Sequence, residues 1–388
     1  MKSKLEVLPT QRDLRFDTLR GLLLICMTIN HLPTELRYGT DQSLGLFSAA
    51  EGFVFLSGLL AGWVYTRKFR AGGPAALLAA SVKRAKSIYA WHIAAFVTCL
   101  VCVQVISHVH QYSSAAVPRL FLENPLLALF LGVTLLHQPG LLDLLPMYCA
   151  FVLLLPLVIG GLESGRRWLV LSVSGAIWLA TQWAPPVDGA PFYPINTGSF
   201  NLLSWQFLFV AGVAIGHARI SGVAQVSRPN RWVVAAAAAL AAYGLGIRHA
   251  GFPPLWPDAV WGVMLNKPAL GLLRMGDFAV VAYLLAIFGE RFPSALVARP
   301  LAFLGRHSLV VVATQSVAIM VLLQFPQLFE TTLDRTLTAL ASIGLLFVTA
   351  AVKQRFMDRP APSPVPVPLG ARQPAGGGLI RPDGRRAA

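Results

Sequence analysis

Apolar runs of about the length of a membrane-spanning helix recur along nearly the whole chain, and they constrain its fold more than any motif does. They cover residues 17–32, 44–66, 87–107, 143–162, 168–187, 200–218, 231–248, 271–289, 307–325 and 335–352. A bilayer core about 30 Å thick takes a helix of about 20 residues. Only 13% of the 388 residues are charged and 55% are hydrophobic, whereas soluble domains carry roughly 25% charged residues. The expected fold is an all-α polytopic membrane protein with about ten transmembrane helices. One further run, 124–137, is bracketed by Pro125 and Pro139-Gly140. It is too short to span and reads as a re-entrant or half helix.

The formal net charge is +15, from 32 Lys+Arg against 17 Asp+Glu. In a soluble chain this would suggest nucleic acid. Here the basic residues sit at the ends of apolar runs, as the positive-inside rule requires, and no nucleic-acid partner is expected. Arg67, Lys68, Arg70, Lys83, Arg84 and Lys86 mark one cytoplasmic loop; Arg166-Arg167, Arg219 to Arg231, Arg291 to Arg306 and Lys353 to Arg359 mark others. With 124–137 left out of the count, both termini are cytoplasmic. Residues 1–14 form an N-terminal segment without a signal-peptidase site. Residues 15–355 form the membrane domain, and 356–388, rich in Pro, Gly and Ala, form a tail expected to be disordered. Cys99 and Cys102 form a C-x-x-C inside an apolar run, where thiols act as small hydrophobes.

Ionisable side chains inside spans cost about 2.5–3.5 kcal/mol each on insertion scales and are therefore functional candidates. The first span reads RFDTLRGLLLICMTINH, from Arg15 to His31. At 100° per residue, Arg20 and His31 fall on one stripe about 16 Å apart. Asp17 and Arg20 have the spacing of an ion pair. Arg15 and Arg20 read either as interfacial anchors or as anion-binding groups. Glu51, in the second run, faces a helix–helix interface through Gly58-x-x-x-Gly62. At the same depth as His31, it would orient the imidazole as a general base. His31, Glu51 and Asp17 form the candidate catalytic group.

Weaker polar signals are Asp143 and Tyr148, Trp205 and Gln206, the i, i+3 pair Arg274 and Asp277, and Arg306 and His307 at a helix start. Lys267 lies in the loop 249–270, on the outer side in this topology. No G-x-S-x-G elbow, phosphate-binding loop, H-E-x-x-H or paired Cys/His zinc spacing occurs, so no metal site is expected.

RFDTLRGLLLICMTINH followed by AAEGFVFLSGLLAG resembles the OpgC-type membrane succinyltransferases, within the wider membrane acyltransferase type 3 superfamily. DLLPMYCAFVLLLPLV, NLLSWQFLFVAG, NKPALGLLRMGDF and LGRHSL extend the resemblance over about residues 12 to 355. VVATQS departs from the pattern, with Gln315 where a histidine is expected nearby. The resemblance implies a multi-pass enzyme of the bacterial inner membrane. It would use acyl-CoA, here succinyl-CoA, as co-substrate and a periplasmic glucan as glycan acceptor. Arg20 and His31 match the family's helix 1 arginine and histidine, Arg15 belongs to the same motif, and Ser57-Gly58 match its second-helix SG. The expected substrate-binding set is Arg15, Arg20, Ser57, Asp143, Tyr148, Trp205, Gln206, Lys267, Arg274, Asp277, Arg306 and His307. The competing reading is a glycan or acyl-donor transporter that forms no ester.

Overall fold

The computed structural model describes residues 13–110, 118–183, 195–196, 198–222, 229–253 and 257–357. The N-terminal segment and the tail expected to be disordered lie almost wholly outside them. The described residues are helical, apart from turns and one isolated bridge between His137 and Asn196.

The chain begins with α1 (Leu14–Asn30), the four-residue α2 (Arg37–Thr40) and the 62-residue α3 (Ala49–His110). Two short helices follow, α4 (Arg119–Glu123) and α5 (Pro125–Val133), and then α6 (Leu144–Glu163) and α7 (Arg167–Ala180). The second half contains α8 (Leu202–Ile220), α9 (Arg231–His249), α10 (Asp258–Met264) and α11 (Leu272–Arg291). It closes with α12 (Arg299–Arg306), α13 (Ser308–Leu322) and α14 (Thr332–Val352).

Each of the ten apolar runs falls largely on a helix. Six helices are long and apolar enough to cross a membrane, and a seventh span follows if α12 and α13, bent by 85° at His307, are taken together. The expected ten is therefore not reached by length and composition. Three causes account for the difference. The 17-residue α1 contains charge, α7 has only 14 residues, and α3 joins two apolar runs in one helix. The basic stretch 67–86, expected as a loop, is helical. Gly73 breaks it with φ 69°, a conformation that only glycine adopts freely, and Pro74 starts the next turn. The run 124–137 yields the nine-residue α5. At about 14 Å it is too short to cross.

Glycines set the two closest helix crossings. A Cβ on Gly58 or Gly62 of α3 would lie 2.2 Å from the carbonyl oxygen of Phe209 or Val213 on α8. From the other side, Gly212 and Gly216 of α8 meet the carbonyls of Phe55 and Leu59. The backbones thus touch, as the Gly58-x-x-x-Gly62 spacing predicts. The α1–α12 crossing is built the same way, with Gly21 against the Leu301 carbonyl and Gly305 against that of Asp17. Asp17 is buried there, at 1% exposure. At the same end of the bundle, where Arg219 of α8 stands over the Phe16 ring, Glu163 on α6 accepts from Arg70 on α3 and sits 2.9 Å from His217 on α8.

Candidate functional site

Two cavities lie end to end inside one frame of four helices, α1, α3, α6 and α13. The first holds about 320 Å³ and is bounded by Arg20 on α1, Phe53 and Ser57 on α3, Leu145 and Tyr148 on α6, and Ser308, Leu309 and Val312 on α13. The second holds about 600 Å³ and is bounded by Met27 and His31, Ala49 and Ala50, Leu144, and Val312, Gln315 and Ser316 on the same helices, with Asp143 just before α6. Both sizes are in the range of small-molecule sites. Helix directions explain the stacking. Numbers rise from the first cavity to the second on α1 and α13 and fall on α3 and α6, so the pairs run antiparallel.

The first cavity is largely aliphatic and aromatic, with two arginines in its lining. Arg20 donates through Nη2 to Ser308 Oγ at 2.5 Å, and its guanidinium stands 5.4 Å from the Phe53 ring centre. Tyr148 packs edge-on to Phe53. Arg84, from the second half of α3, also lines this space.

The second cavity is more polar. His31 follows the last residue of α1, where Asn30 and Thr40 exchange hydrogen bonds that fold the 31–40 turn back over the helix end. Facing His31 in the same cavity are Arg37, Asp41, Asp143, Lys267 and Arg274. The Lys267 ammonium lies 5.9 Å from the Phe200 ring centre. Asp143 accepts from the Ser199 N–H at 2.8 Å. The Gln315 amide oxygen is buried and has no hydrogen-bond partner among the described residues.

Several sequence expectations need correction. Glu51 is not engaged with His31. Its Oε1 accepts from Arg274 Nε at 2.8 Å and Nη2 at 2.5 Å, while Oε2 accepts from the Ser48 N–H and hydroxyl at 3.0 and 2.7 Å. A fully buried carboxylate takes the partner that neutralises it, and here that is a buried guanidinium. Arg274 therefore does not pair with Asp277, which instead accepts from the Leu46 N–H at 2.6 Å. These two acids fasten the start of α3 to α11.

Other candidates hold the frame rather than line it. Arg15 is engaged by Asp13 and the Gly289 carbonyl, so its guanidinium is not offered to either cavity. Trp205, fully buried, donates to the carbonyls of Lys267 and Pro268, which makes it a positioning residue for Lys267. Gln206 exchanges hydrogen bonds with Ser174 and clasps α7 to α8. Arg306 is exposed and His307 is buried edge-on to Phe303, both at the α12–α13 bend and neither lining a cavity. The site therefore brings together His31, Asp143, Lys267 and Arg274 in one cavity and Arg20, Ser57 and Tyr148 in the other. Arg37 and Val312 also line the second cavity, and the sequence does not mark them, because a loop arginine and a valine in an apolar run carry no local signal.

No curated protein and no solved structure was found to match the chain. The model of one family, described as "OpgC protein", matches residues 12–358. That span includes every residue lining the two cavities, and the chain belongs to the OpgC protein family.

Proposed function

We propose that the protein is an integral membrane O-acyltransferase. It moves an acyl group, in the first place succinyl, from cytoplasmic acyl-CoA to a sugar hydroxyl of a periplasmic glucan or related glycan. One observation carries this reading: an apolar cavity lined by Arg20 and Arg84 and a polar cavity lined by His31 are stacked in the same four helices. The first suits a phosphorylated donor with an apolar arm, the second a polyhydroxylated acceptor. Membership of the family supports a glucan-modifying transferase.

In this reading ten spans cross a bacterial inner membrane with both termini cytoplasmic: α1, the two halves of α3, α6, α7, α8, α9, α11, the bent α12–α13 pair and α14. The Arg20 cavity then opens inward and the His31 cavity outward. Arg20 and Arg84 meet the phosphates of the donor through charge-assisted hydrogen bonds. His31 takes the proton of the acceptor hydroxyl, and the hydroxyl oxygen attacks the thioester carbonyl. The carbon–sulfur bond breaks as the new ester bond forms, and the imidazolium returns the proton to the coenzyme A sulfur. No other co-reactant is needed.

The 85° bend between α12 and α13 favours a second reading, a glycan or donor transporter, since broken helices line transport pathways. Purified protein given labelled succinyl-CoA and a glucan separates the two. Ester-linked label in the glucan supports the enzyme; glucan crossing a vesicle membrane without ester formation supports the transporter.

A further inference from the structure

Among the described residues that bound the two cavities, only Val312 belongs to both. It is 4% exposed and sits midway along the α13 stripe. Ser308, four residues before it, lines the Arg20 cavity, and Ser316, four residues after it, lines the His31 cavity. These two serines are about 12 Å apart along the helix, with the valine one turn from each. Neighbouring residues on the other helices also divide between the two cavities. Leu145 and Leu144, adjacent on α6, face different cavities, as do Phe53 and Ala50 on α3. Glu51, between Ala50 and Phe53 on α3, is buried and turned to Arg274. Arg20 is on one side, and His31 and Arg274 are on the other.

We propose that the Val312 side chain is the gauge between the cavities and sets the length of the acyl group that can be transferred. This rests on the acyltransferase reading above. A thioester arriving past Arg20 must bring its carbonyl to the His31 side, and the acyl chain must fit beside this valine when it does so. The chain then extends into the His31 cavity, where Gln315 and Ser316 lie one turn beyond. A small residue at 312 admits longer chains, and a large one shortens the chains that pass. A single methylene in an apolar site is worth about 10–200-fold in discrimination, so one substitution is enough to read the effect.

The test compares full-length wild type, Val312→Ala, Val312→Phe and Val310→Ala in lipid nanodiscs. Val310 is buried on the same helix but lines neither cavity, and its variant controls for loosening of α13. Ester formation is measured with acetyl-, succinyl- and hexanoyl-CoA, and binding of free coenzyme A is measured separately. Val312→Ala is expected to raise the hexanoyl-to-acetyl ratio of kcat/KM by about tenfold or more. Val312→Phe is expected to lower that ratio and to suppress succinyl transfer while coenzyme A still binds. Val310→Ala leaves the ratio at the wild-type value. Unchanged ratios in both Val312 variants, with wild type active, overturn the gauge. Wild type that forms no ester with any of the three donors overturns the acyltransferase reading, and the gauge falls with it.

Discussion

The two cavities share four helices and differ in nearly everything else. Around Arg20 the walls are rings and aliphatic chains, and the arginine donates to the Ser308 hydroxyl and faces the Phe53 ring. Around His31 the walls carry acids, amides and cations from elements far apart in sequence, among them Asp41, Asp143, Lys267 and Gln315. The same stripe of α1 thus ends in an apolar chamber suited to holding an arm and a polar chamber suited to reading hydroxyls. In the proposed reaction, donor binding and proton transfer fall at opposite ends of one helix, which makes them separable by mutation.

The sharpest way to break that division is His31→Ala. Ester formation should fall by about 10²–10⁴-fold, the usual worth of a positioned general base. Binding of coenzyme A, measured by calorimetry, should stay within experimental error. Loss of binding together with turnover would mean that the two ends do not act separately.

Arg274 tests the polar chamber from its wall. Removing it leaves Glu51 charged and buried, at a cost of about 3–5 kcal/mol. Arg274→Met is expected to lower the thermal midpoint in detergent sharply, and Glu51→Gln in the same chain to restore part of it. A stable, inactive Arg274→Met would instead make Arg274 a substrate ligand.

Arg20→Ala probes the other chamber. Loss of a charge-assisted contact worth about 1.5–3 kcal/mol should raise KM for the acyl donor by roughly 10–100-fold, with kcat much less affected. Steady-state kinetics at fixed glucan would show this split. A fall in kcat at unchanged KM would move Arg20 into the chemistry.

The smallest effect belongs to a residue outside both chambers. Gln206→Ala loses its clasp on Ser174 and should cost about 1 kcal/mol of stability, with neither KM changed. A changed KM for glucan would restore Gln206 to the binding set.

The sequence carries the helices plainly but only part of the site. Apolar runs mark the helices and Gly58-x-x-x-Gly62 marks a face of α3 open to close approach, because periodicity and small-residue spacing are local properties; that α8 is the helix packed there comes from the fold. The extremes of the α1 stripe were legible for the same reason: 3.6 residues per turn bring Arg20 and His31 into line. Partner choice was not. Glu51 reads as a base for His31 on depth alone, yet its buried partner comes from Arg274, 223 residues away. A local clue did exist in Ser48-x-x-Glu51, the spacing of a capping box, in which the acid reaches back to the serine N–H. Arg15 shows the same limit in part: Asp13 is a local partner two residues away, whereas the Gly289 carbonyl is brought by α11. Lys267 looked out of place as a cation in an outer loop. The fold brings it into the cavity that His31 also lines.

The most direct test of a two-ended site is sidedness. Protein reconstituted in one orientation into sealed vesicles should transfer label when acyl-CoA is present only on the side reached by the Arg20 cavity and glucan only on the side reached by His31. The ester should appear on the glucan side. Transfer that requires donor and acceptor on the same side of the membrane would contradict the account.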